Sequence, residues 1–128
     1  MTLALAMALA LSGAPEPTPA MVTVARAATY AVATAPSLPL TGPAAREGTI
    51  AMLVGVAWHE SGFRADVVDC RTRGDSGRSV SAWQLMRGMA WAGHTQAEIC
   101  RSPELTASLA LRVITIQATQ CTRSEPGG

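Results

Sequence analysis

Where the prolines fall decides which parts of this chain can build continuous secondary structure. Of its eight prolines, Pro15, Pro17, Pro19, Pro36, Pro39 and Pro43 crowd into the first third, interleaved with Thr, Ser and Ala. Each proline removes a backbone donor and its ring clashes with the preceding helical turn. Residues 21–42 are therefore expected to form a proline-rich linker, with at most a short helix or strand over Met21–Ala35. Pro43 suits the first turn of a helix, so the folded domain is expected over residues 43–128.

Ahead of the prolines, Thr2 to Leu11 is an unbroken run of small and aliphatic residues. It is shorter than the roughly 20 residues that cross a bilayer, so no stable membrane span is expected. Its length matches the apolar core of an export signal, and residues 1–20 are read as a signal-like segment; an apolar core helix is the plain alternative. No Lys or Arg precedes the run, and small-x-small cleavage patterns occur at Ser12-Gly13-Ala14 and Ala25-Arg26-Ala27. Export would place the protein in the periplasm, in the cell envelope or outside the cell. In such a compartment Cys70, Cys100 and Cys121 permit one disulfide in any of three pairings. The odd cysteine then suits a partner outside the chain, or a buried thiol.

All ten basic residues are arginine, and Lys and Asn are both absent. Both missing residues have AA-beginning codons, which points to a GC-rich genome. A net charge of +1, with the arginines scattered, gives no electrostatic footprint for nucleic acid. No CxxC or HxxxH spacing suggests a metal, and no cofactor is expected.

Past Pro43, Ile50, Leu53, Val54, Ala57 and Trp58 recur at helical spacing, predicting a helix over Pro43–Ser61 with Thr41 or Gly42 as its cap and Gly62 as its terminator. Arg64–Val80 is polar and glycine-punctuated, so a loop or short hairpin is expected. Ser81-Ala82-Trp83-Gln84 has capping-box spacing and predicts a helix to about Met89. Thr95 to Glu98 repeats that device for a short helix. Ser102-Pro103-Glu104 opens a last helix carried by Leu105, Leu109, Val113 and Ile116. The tail Thr122–Gly128 is expected to fray.

Glu60 is the residue whose surroundings suggest a task. It follows Ala57, Val56 and Leu53 by three, four and seven positions, which puts its carboxyl on the apolar stripe of the helix. An apolar setting and the negative end of the helix dipole both favour the protonated acid, and a protonated acid is what cleavage of a glycosidic bond requires. The alternative is a helix-terminal glutamate turned to water. His59-Glu60 begins an HExxH motif, but Phe63 stands where the second histidine would be, so a zinc site fails. Of the acids in the following loop, Asp66, Asp69 and Asp75, the last is the candidate for a second carboxylate. Turn capping explains all three as well.

Glu60-Ser61-Gly62-Phe63 resembles the Glu-Ser-x-Phe signature of soluble-type lytic transglycosylases, members of the lysozyme-like superfamily. Some 20 residues on, Ser79-Val80-Ser81-Ala82-Trp83-Gln84-Leu85 resembles that family's Ser-x-Gly-Leu-Met-Gln-Ile segment, with Ser81 in place of the glycine and Ala82-Trp83 in place of Leu-Met. The resemblance spans about Pro43 to Cys121. It implies a mainly α, lysozyme-like fold with a small β-hairpin, cut short before the family's Ala-Tyr-Asn-x-Gly-like segment. It implies Glu60 as the catalytic acid, Ser61, Phe63, Ser79 and Gln84 as substrate-binding residues, and peptidoglycan glycan strands as the partner. The expected reaction is transglycosylation at the β-1,4 bond between N-acetylmuramic acid and N-acetylglucosamine. A muramidase using Asp75 as second carboxylate, or a non-catalytic peptidoglycan-binding protein of the envelope, are the alternatives.

Overall fold

Most of the stretch expected as a linker belongs to a packed helix that runs to Thr34, where at most a short helix or strand was expected, and only residues 35–42 remain a connection. The computed structural model describes residues 1–124, with side chains through Cys121. Its helices are α1 (Leu3–Ser12), α2 (Pro19–Thr34), α3 (Ala45–Ser61), α4 (Ala65–Val68), α5 (Gln96–Arg101) and α6 (Pro103–Ser124). A two-stranded antiparallel sheet, β1 (Ser79–Val80) with β2 (Leu85–Met86), lies between α4 and α5, with short 3-10 turns at Asp75–Gly77 and Met89–Trp91. The described chain is thus mainly helical with one small hairpin.

The prolines that suggested a linker border α2 instead of breaking it. Thr18 is its N-cap, the hydroxyl accepting from the Met21 amide at 3.2 Å, and Pro19 occupies the first turn, where its missing N–H costs nothing. Pro36 comes two residues after the helix ends. Between these limits two seams of small residues run side by side: Ala20, Val24, Ala27 and Ala31, and Met21, Ala25, Ala28 and Val32, all buried. Two adjacent seams give a face wide enough to meet several neighbours, and α2 packs against α1, α3, α4 and α6. Residues 35–42 form the connection to α3.

The signal-like apolar run forms α1, capped by Thr2 and closed by Gly13 in the left-handed conformation. Ala4 and Ala8 are buried where α1 meets α2 and α3, while Leu3 and Leu11 remain exposed. Helix α3 starts at Ala45 behind Ala44, with no side-chain cap, so neither Thr41 nor Gly42 serves as one. The Ala45 amide bonds instead to the Gly42 carbonyl at 3.2 Å. Gly62 ends α3 as expected, at φ 59°, with its N–H on the Trp58 carbonyl. Among the described residues no helix is long and apolar enough to cross a membrane.

The helix expected from Ser81 to Met89 does not form. Ser81 and Gln84 both have positive φ, 69° and 47°, and residues 81–84 make the turn of the hairpin, in which Ser79 faces Met86 and Val80 faces Leu85. Burial of Val80, Trp83 and Leu85 outweighs the local capping signal. The capping box at Thr95 and Glu98 does form, and Ser102 caps α6 through the Leu105 amide at 3.1 Å. Cys70 and Cys100 are joined, tying the loop after α4 to α5; Cys121 is exposed on α6. Thr122–Ser124, expected to fray, continue α6, and the remainder of the tail lies outside the described residues.

Two outcomes follow from this packing. Ala28→Leu, at a fully buried position of α2, forces methylenes into a closed helix interface and is expected to cost about 1–3 kcal/mol in urea denaturation. Cys70→Ser opens a cross-link spanning 30 residues, and loop entropy sets the expected loss at roughly 3–4 kcal/mol, read from the same titration.

Candidate functional site

Glu60 does not occupy the buried stripe. The buried side of α3 is formed by Thr49, Leu53, Val54, Ala57 and Ser61, whereas Glu60 and the adjacent His59 are exposed. Glu60 lies within the same angular range, but in the last turn the stripe narrows onto Ser61. Left in water, the carboxylate avoids the cost of burying a charge. Among the described residues its side chain takes part in no hydrogen bond or ion pair, and it stands at the negative end of the α3 dipole.

Ser61 and Phe63 shape the turn beside it. The Ser61 hydroxyl donates to the Ala57 carbonyl at 2.6 Å and accepts from the Phe63 amide at 3.3 Å, holding the chain as it leaves the helix. Phe63 is buried at φ 56°, with its ring 5.3 Å from that of Trp58 at a 45° tilt. The aromatic pair packs the turn against the last turns of α3.

Ser79, Gln84 and Asp75 gather around Gly74. Gly74 and Ser79 exchange two backbone hydrogen bonds, of 3.0 and 3.1 Å, and the Ser79 hydroxyl donates to the Asp75 carboxylate at 2.6 Å. The Gln84 amide nitrogen donates to the Ser81 carbonyl at 2.8 Å, while its Oε1 lies so close over Gly74 that any Cβ there would collide with it. A side chain at 74 would make the end of Gln84 turn aside. None of these three side chains bonds to Glu60.

The link between the two groups is Trp83. Its indole N–H donates to the Leu53 carbonyl at 2.9 Å, fastening the hairpin turn to the helix that carries Glu60. This residue was legible only as a departure from a family pattern. The usable signal was the tryptophan itself, since a buried indole N–H demands an acceptor. Ser81, at the glycine position of that pattern, is left-handed, and its hydroxyl is buried without a partner among the described residues, beside a cavity of about 10 Å3 lined by Trp83, Ile99 and Thr106. Positive φ values also occur at Phe63, Cys70, Asp75, Ser76 and Gln84, so the strained backbone is concentrated where the candidate residues lie.

The other loop acids serve local structure. Asp69 accepts from the Arg71 amide at 3.1 Å and pairs with that residue's guanidinium. Asp66 accepts from the Thr72 hydroxyl at 2.7 Å and pairs with Arg64. The Thr72 hydroxyl, then Arg64, hold the Asp66 carboxyl below the usual range. The Thr95 amide, then His94, do the same for Glu98 in its capping box. Both carboxylates therefore stabilise the fold above their unfolded-state pKa, and that support is lost as pH falls through the lowered folded values.

Comparison of the chain with protein-family models, with curated proteins and with solved structures finds no match.

Ser81→Gly isolates one strained position. It relieves left-handed strain of about 1–2 kcal/mol and removes an unsatisfied buried hydroxyl costing about 1–3 kcal/mol. Against this stands about 0.5–1 kcal/mol of added chain entropy. A net gain of at least 1 kcal/mol is expected in urea denaturation. Ser81→Ala, which keeps the strain, is expected to gain less.

Proposed function

We propose that this chain is a peptidoglycan lytic transglycosylase of lysozyme-like fold that acts in the cell envelope, with Glu60 as its general acid and base. The observation that carries the reading is the hydrogen bond from Trp83 to Leu53, which joins the turn bearing Gln84 and Ser79 to the helix ending at Glu60. Both segments that resemble the family thus belong to one body. The left-handed backbone at Ser81 adds support, because it is the conformation that a glycine at this point of the pattern would serve.

In this reading Glu60 donates its proton to the oxygen that leaves C1 of N-acetylmuramic acid. The resulting carboxylate then takes the proton of the muramic 6-hydroxyl as that oxygen closes onto C1. One carboxylate serves both steps, and no water is consumed. Glycan laid over the end of α3 excludes solvent from Glu60 and supplies the apolar setting absent from the free protein. Phe63 and Trp58 pack at that end of α3, Gln84 is the hairpin residue offered to glycan, and Ser79, buried and bonded to Asp75, holds the hairpin in shape. Asp75, the second carboxylate of a muramidase reading, already accepts from Ser79 and is turned to structural use.

The exposure of Glu60 favours one other reading, a protein that binds peptidoglycan without cleaving it. Digestion of purified peptidoglycan separates the two. The wild type is expected to release muropeptides one water lighter than hydrolysis products, and Glu60→Gln to lower the rate at least 100-fold, the lower range for loss of a general acid. Equal release by both proteins would overturn the catalytic assignment, and glycan binding without release would favour the binding protein.

A further inference from the structure

Away from Glu60, the hairpin and α6 present one surface that neither the fold nor the proposed reaction uses. A groove of about 320 Å3 is lined by Met86, Arg87, Met89, Arg112, Val113 and Ile116, among others, and no acidic residue is among its described lining. Met86 is 54% exposed and Met89 is 76% exposed, and Met89 projects from a turn entered through Gly88 at φ 119°. Large apolar side chains so fully in water mark contact sites when they cluster.

The two cations beside them are held by neutral groups. The Arg87 guanidinium stacks over Trp91, 5.4 Å from the ring centre, and Arg112 donates to the Met89 carbonyl at 3.0 Å. Neither has an acidic partner among the described residues, so both positive charges stay uncompensated while their side chains are fixed in place. The bond from Arg112 also ties the methionine turn to α6, so apolar and cationic elements share one rigid face.

We infer that this face docks the protein on an anionic phospholipid surface. Met86 and Met89 would enter the interfacial layer, and Arg87 and Arg112 would meet lipid phosphates. The charge pattern argues for this occupant: two uncompensated guanidiniums flanking protruding apolar side chains complement an anionic interface, and a neutral apolar partner would leave both charges desolvated. Contact is peripheral, since no described helix is long and apolar enough to cross a membrane. The inference is independent of the reaction proposed for Glu60.

Co-sedimentation of the full chain with vesicles tests it. The wild type is expected to sediment with equimolar phosphatidylglycerol and phosphatidylcholine and not with phosphatidylcholine alone, and to be released by added salt. Arg87→Gln with Arg112→Gln is expected to weaken partitioning at least tenfold, each charge near an anionic surface contributing about fivefold. Met86→Ser with Met89→Ser, at exposed positions that leave the core untouched, is expected to weaken it as well. Arg26→Gln, on α2 outside the groove, is expected to change nothing. Equal binding to both vesicle types, wild-type binding by the methionine variant, or no binding to either vesicle would overturn the inference, the last leaving the face to a protein partner.

Discussion

The close approach that alanine permits along α2 is the contact on which the other helices depend. Ala25, Ala27, Ala28 and Ala31 are almost completely buried, and their small side chains let α1, α3 and α6 gather around a single helix. Such an arrangement gains little from any one side chain. Its stability comes from many dispersion contacts at short range, which any added bulk would disrupt. The larger core residues, Leu53, Val54, Ile99 and Trp83, belong to the same buried cluster, which reaches the hairpin through Trp83 and Leu85. The molecule therefore has a closely packed alanine-rich part and a bulkier part under the hairpin.

The candidate residues all belong to that second part or to its edge. The segment from Phe63 to Gln84 combines short elements, several left-handed residues and a disulfide to α5. Backbone in such conformations persists only where surrounding contacts hold it. Here the holding contacts are identifiable: Trp83 on the Leu53 carbonyl, Trp91 on the Leu85 carbonyl, and the paired amides of Gly74 and Ser79. Both indoles act from within the core. Glu60 stands exposed at the end of the helix to which the hairpin turn is fastened. The methionine and arginine face joins the hairpin to α6.

What could be read from the sequence was what local chemistry controls. Gly62 ends α3, the Thr95 and Glu98 pair opens α5, and Ser102 with Pro103 opens α6, each where its residues suggested. In all three cases the deciding bonds form between residues no more than four apart, and no distant contact overrides them there. The border of α2 was equally local, as Thr18 and Pro19 show, but the density of prolines on either side concealed it.

Only the tertiary structure decided the rest. Ser81 to Gln84 carries the spacing of a capping box and yet forms a hairpin turn, because pairing of Val80 with Leu85 and burial of Trp83 against α3 compete with a single local bond and win. Helical periodicity assigned Glu60 a direction about the axis of α3, but direction does not say whether another element covers that side at that height. Among the described residues nothing does in the last turn, so Ser61 is buried and Glu60 is exposed. The sequence by itself determined where most helices start and stop, through bonds within one turn. Which sides of them are dry was settled by the placement of elements far apart along the chain.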